Sequence, residues 1–149
     1  MTAAPLAQRL ISALADHLHA DLQLEQGVCA LYDKHNREAV VIELPEHSDM
    51  AILHCTIEVT VHAPGLHKRL LELNFRLDLL GGSWLALDDK ACVRLCAHSA
   101  LSALDETRFC HWVVGFVAQV NEVRPRLLDL AKPGEPRPAS LAMNRTRLG

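Results

Sequence analysis

Ten residues in the first half of the chain constrain the fold more than any others. From Ile52 to Val61 the sequence reads ILHCTIEVTV. Leu53, Cys55, Ile57, Val59 and Val61 fall on one side of an extended chain, and His54, Thr56, Glu58 and Thr60 on the other. Strict alternation of this kind needs one buried face and one wet face, which is the pattern of an antiparallel sheet. A sheet with one apolar face must be covered on that face by something else.

The covering elements are legible at both ends of the chain. Leu6, Leu10, Leu14 and Leu18 recur every fourth residue with Ile11 beside them, which predicts a first helix over residues 5–19. Pro5 suits its first turn, where a missing N–H costs nothing. Phe109, Trp112, Val113, Phe116, Val117, Val120 and Val123 make a second stripe at helical period. Asp105 is a candidate N-cap for that last helix, and Pro125 is expected to stop or kink it after Arg124.

Between them lie shorter elements. Residues 28–32 and 39–44 read as a hairpin around a polar turn at 33–38, with Pro45 ending the second strand. Pro64-Gly65 breaks the alternating strand. A short helix follows over 66–77, then Gly81-Gly82, whose backbone freedom permits a sharp turn. Residues 83–87 and 93–97 form another hairpin around Asp88-Asp89-Lys90. The predicted order is α-β-β-β-α-β-β-α: a single α+β domain with a twisted antiparallel sheet and three helices.

Composition excludes several functions. Residues 1–131 hold 11 Lys/Arg and 17 Asp/Glu, net −6, which argues against nucleic-acid binding. Residues 132–149 hold four Lys/Arg and one Glu, net +3, and are expected to be a mobile basic tail outside the domain. No stretch approaches the roughly 20 apolar residues that span a bilayer. Arg9 and Asp16 interrupt the N-terminal apolar positions, so no signal peptide is expected. Five cysteines without paired close spacing fit reduced thiols in the cytoplasm.

No residues look built to react. Cys92, Cys96, His98 and Cys110-His111 are the nearest approach to a ligand set. On a strand, however, Cys92 and Cys96 would lie roughly 13 Å apart, too far for one metal. No catalytic signature surrounds any Cys-His pair. Gly81-Gly82 lacks the further glycines and the Lys-Ser/Thr of a phosphate loop. The histidines at 17, 19, 47, 62 and 67 sit on polar faces or in turns and are expected to be solvated. Neither catalysis, a metal nor a cofactor is expected.

The short central helix is the informative element. Leu66, Leu70, Leu73 and Leu77 line one side, with Leu71 and Asn74 flanking them. A helix apolar on more than one side must bury more than one side, and in a domain this small the second partner can be another subunit.

The chain resembles the Tir chaperone (CesT) family, the class I chaperones of bacterial type III secretion. The resemblance is carried by Leu70-Leu71-x-Leu73-Asn74-Phe75, then Gly82, Leu85-Ala86-Leu87-Asp88-Asp89 and Leu104-Asp105. In the first half it is carried by Gly27-Val28-Cys29-Ala30-Leu31, Ile42-Glu43-Leu44-Pro45 and Leu53-His54. It spans roughly residues 5–128.

The resemblance implies a homodimer, with Leu66, Leu70, Leu73, Asn74, Leu77 and Leu85 at its contact. It also implies an effector partner whose N-terminal segment is held extended for export, lying on Leu10, Leu14, Leu18, Leu53 and Ile57. Trp84 departs from the smaller residue usual there; if the fourth strand joins the dimer contact, so bulky a side chain alters the dimer angle. Two other readings remain: an adaptor or assembly protein of the same fold outside secretion, and a small thiol- or zinc-dependent enzyme.

Overall fold

The structure, a computed structural model, describes residues 3–58 and 63–131. Five strands form one antiparallel sheet: β1 (Val28–Tyr32), β2 (Glu38–Glu43), β3 (Met50–Thr56), β4 (Trp84–Leu87) and β5 (Val93–Ala100). Their order is β1-β2-β3-β5-β4, so β1 and β4 are the edges. The helices are α1 (Ala3–Leu18), α2 (Leu66–Leu73), the single turn α3 (Leu77–Leu80) and α4 (Glu106–Ala131). The α+β fold and its element order agree with the sequence reading, α3 being an added turn.

The alternation in β3 places the core. Register sets Cys29, Ile42, Leu53 and Ala97 side by side across four strands, and Cys55, Leu95 and Leu85 across three. Apart from Ala97, which is half-buried, these side chains are buried, and α1 and α4 pack together beneath that face. From α1 the stripe Ala7, Leu10, Ile11 and Leu14 is buried, and from α4 Phe109, Val113, Phe116, Val120, Val123 and Leu127. Each large side chain there contributes about 1.5–3 kcal/mol by leaving water. Val59, Val61 and His62 lie outside the described residues.

Among the strands, β3 ends at Thr56, within the alternating run, and β5 continues to Ala100; two helices also end elsewhere than the sequence reading placed them. The short helix does not run to Leu77. It ends at Leu73, the backbone turns through residues 74–76, and α3 begins at Leu77. Asp105 caps α4 as expected, its carboxylate accepting from Arg108 N–H at 2.7 Å. Pro125, by contrast, does not stop α4, which continues to Ala131. Pro125 is exposed, as is Asn121 four residues earlier, whose carbonyl loses its usual helical partner to the proline ring. Beyond it Leu127 and Ala131 are buried, and Arg69 of α2 donates twice to the Ala131 carbonyl, at 3.0 and 3.2 Å. Packing on both sides of the proline outweighs the one lost bond.

Candidate functional site: an apolar patch beside a half-open sheet face

The apolar residues left in water are concentrated where α2, α3 and β4 meet. Phe75 is 92% exposed, Leu77 74%, Leu71 70% and Leu87 46%. A concavity of about 260 Å³ opens between α2 and β4, lined by His67, Leu70, Leu71, Asn74 and residues 85–87. Asn74 joins its two walls. Its Oδ1 accepts from Leu85 N–H at 2.6 Å, and its Nδ2 donates to the Leu85 carbonyl at 3.1 Å. Behind this, Gln119 of α4 donates to the Leu80 carbonyl at 2.7 Å, holding the Gly81-Gly82 turn against the long helix. Gly81 and Gly82 both take positive φ there, 57° and 92°, which supplies the sharp turn read from the sequence.

The structure divides the residues assigned to a dimer contact. Leu66, Leu70, Leu73 and Leu85 are buried in the protomer's own core, Asn74 is half-buried, and Leu77 is exposed. The turn at 74–76 is the reason. It breaks the helical stripe, so Leu77 no longer follows Leu70 and Leu73 inward. Leu71, Phe75 and Leu87 were not assigned to the contact, yet with Leu77 they are the exposed large apolar residues of this region. Phe75 follows Asn74 in the motif, but no periodicity marks a residue in an irregular turn.

The residues assigned to effector binding are displaced further. Leu10, Leu14 and Leu53 have no exposed surface and Ile57 has 2%. They cannot border a groove, because α1 and α4 together seal that face of the sheet. Only Leu18, the last residue of α1, reaches solvent, at 38%.

The opposite face of the sheet carries no such seal. Val41, Ile52, Trp84, Ala86 and Cys96 are half-buried on it. A groove of about 480 Å³ runs over this face, with Val41, Ile52, Ala86 and Leu87 as its apolar members and Glu38, Glu43, Asp88 and Asp89 among its polar ones. It shares Ala86 and Leu87 with the α2–β4 concavity, so the two surfaces are continuous.

Arg94 organises the groove's polar groups. It pairs with Glu38 at 2.6 Å, donates to Thr56 Oγ1 at 2.7 Å and to His54 Nδ1 at 2.7 Å, and lies 3.6 Å from Asp88. Accepting through Nδ1 leaves His54 its other nitrogen for Glu43, 3.4 Å away. Backbone N–H groups of Cys92 and Lys90, with Arg94 beyond them, hold the Asp88 carboxyl below its usual range. The Trp84 ring meets His98 edge-on at 5.1 Å on this same face, so the tryptophan points across the sheet. The position of Arg94 on the wet side of β5 was readable from alternation; its partners were not, because they come from three other parts of the chain.

The thiols do not gather. Burial raises the pKa of Cys29, Cys55, Cys96 and Cys110. Among the described residues no three of His, Cys, Asp or Glu stand together as a metal site. His17, His19, His47 and His67 are exposed, as expected.

The edges of the sheet are unequal. On β1, Val28 exchanges both backbone bonds with Glu25, each at 2.9 Å. Ala30, two residues on, turns its peptide groups to the same outer side and is exposed.

The Tir chaperone protein (CesT) family matches residues 9–124. No curated protein matches the chain in sequence. Several solved structures share its fold. The ExsC-ExsE complex superposes with a TM-score of 0.67 at 16% identity, covering 89% of this chain and 97% of that one. The heterodimeric ExoU-SpcU complex of the Pseudomonas aeruginosa type III secretion system gives 0.55 at 20% identity, covering 83% and 98%. The Yersinia pestis type III secretion chaperone SycH, in complex with a stable fragment of YscM2, gives 0.56 at 15%, covering 78% and 98%. No helix of the described residues is long and apolar enough to cross a membrane.

Proposed function

The chain belongs to the Tir chaperone (CesT) family, and from that premise we propose that it is a type III secretion chaperone that binds the N-terminal segment of one or a few effector proteins. The observation that carries this reading is the family match over residues 9–124 on a chain with an exposed apolar patch and a half-open sheet face. The chaperone holds the client segment extended and ready for export, without bond chemistry. It works in the cytoplasm as a homodimer.

The second copy covers Leu71, Phe75, Leu77 and Leu87. Large apolar side chains left together in water favour a partner, and two of these four, Leu71 and Leu87, line a concavity of suitable size for a side chain. The client lies on the outer face of the sheet, over Val41, Ile52 and Ala86, and not on the sealed leucines of α1. Apolar side chains of an extended peptide enter that groove, while its backbone is free to pair with an open sheet edge such as Ala30. Residues 132–149, with four Lys/Arg and one Glu, lie outside the described residues and beyond the family match.

Co-expression tests the function. The chain is produced together with the N-terminal segment of a secreted protein encoded beside it, and deletion of its gene is followed by measurement of that protein inside the cell and in the medium. Stable co-purification and loss of export on deletion are expected. Normal export from the deletion strain, with no complex formed, overturns the reading. Ile52→Asp places a charge in the outer groove and should abolish co-purification while the protein stays folded.

A further inference from the structure

β4 is an edge strand with an unusual neighbour. In an antiparallel pair, alternate residues turn their N–H and C=O groups toward the partner strand and away from it. Both backbone groups of Leu85 are bound to the Asn74 side chain and not to β5. Leu85 therefore faces outward, and so do Ser83 before it and Leu87 after it. Ser83 N–H is taken by the Leu80 carbonyl at 3.1 Å. Of three outward-facing positions along this edge, two are occupied by the chain itself.

The contact made by Asn74 has the form of strand pairing. A carboxamide offers one acceptor and one donor side by side, as a peptide group does. Here it meets the N–H and the C=O of one residue, as an opposed residue on a neighbouring strand would. Nothing in the local backbone calls for asparagine: residue 74 has φ −60° and ψ −22°, ordinary right-handed helical values that any residue adopts. Its side chain is what the position uses.

We propose that Asn74 is a specificity residue for self-association: its carboxamide plugs the β4 edge at Leu85, so that a second copy docks on the apolar patch beside it and not edge to edge. The inference rests on the homodimer read above. An unplugged edge is a template for pairing with another chain. With Asn74 in place only Leu87 is free, too little to template a strand. With Asn74 removed, Leu85 and Leu87 become consecutive outward-facing positions, enough for β4 to pair with β4 of a second copy. That pairing would compete with docking through Leu71, Phe75 and Leu77, which lie on the same side of the molecule.

Asn74→Ala is the test, read by light scattering and by backbone hydrogen exchange resolved at Leu85 and Leu87. At low concentration the Leu85 amide should lose protection by about tenfold or more. As concentration rises through the micromolar range, the variant should grow beyond the wild-type mass, and protection at Leu85 and Leu87 should return with it. An unchanged mass at every concentration overturns the proposal. So does growth in mass that leaves both amides unprotected, since association then proceeds elsewhere. If Asn74→Ala does not fold, the similarly sized Asn74→Leu takes its place. It fills the same space and offers Leu85 neither acceptor nor donor, and a mass and Leu85 protection equal to wild type would refute the plug. The wild-type mass alone tests the homodimer, so failure of that reading is seen separately.

Discussion

Phe75 offers the sharpest separation between folding and association. At 92% exposure it contributes almost nothing to the protomer, so Phe75→Ser should change protomer stability by no more than about 0.5 kcal/mol. In a twofold contact the same ring is buried twice, once from each copy. Burying one phenylalanine side chain is worth about 1.5–3 kcal/mol, so the substitution should weaken a dimer by about 3–6 kcal/mol. At 1.4 kcal/mol per tenfold, that raises the dissociation constant by a factor of about 10² to 10⁴. Sedimentation or light scattering across the micromolar range should then move the mass from twice 16.5 kDa to 16.5 kDa, while thermal unfolding of the separated protomer stays sharp. Leu73→Glu is the contrast, because Leu73 is 6% exposed and lies in the core. It should unfold the protomer instead of separating two folded ones. A Phe75→Ser protein that remains a dimer at sub-micromolar concentration, or a wild type that is monomeric at high concentration, refutes the reasoning.

Three further outcomes follow from burial. Leu14→Asp puts a carboxylate where no surface is exposed between α1 and the sheet, at a cost of several kcal/mol; circular dichroism should show an unfolded or molten protein, and a native-like melt would refute the placement of α1. Pro125→Ala restores a backbone donor on the exposed side of a helix that already runs through this position, so its melting temperature should rise, by up to about 3 kcal/mol in stability; a fall would mean that the proline shapes α4 in a way its packing does not show. Half-exposed Cys92 should be alkylated first in the native protein at neutral pH, while buried Cys29, Cys55 and Cys110, whose thiols burial holds protonated to higher pH, react only on unfolding. Mass spectrometry of a labelling time course reads the order, and equal rates at all four would contradict the core described above.

What the sequence determined was everything that depends on periodicity. Alternation in β3 fixed which side chains of the sheet go inward. The fourfold spacing in α1 and the stripe in α4 fixed which helix faces cover them, and Asp105 marked where α4 begins. These signals are local, because a side chain's direction along a strand or helix is set by its own position. The motif around residues 70–75 was equally plain, and with it the family.

Only tertiary structure decided which apolar residues remain outside. The leucines of α1 form as good a stripe as any docking surface, but α4 lies across them, and nothing near residue 10 in the sequence says so. Leu77 shares a helical spacing with Leu70 and Leu73, yet a turn three residues long sends it into water and exposes Phe75 beside it. Pro125 carries the local signal for a helix end, and packing of Leu127 and Ala131 overrules it. The Arg94 network and the Asn74–Leu85 contact join residues up to 56 positions apart. Such contacts depend on strand order and register, which are properties of the assembled sheet and not of any segment within it.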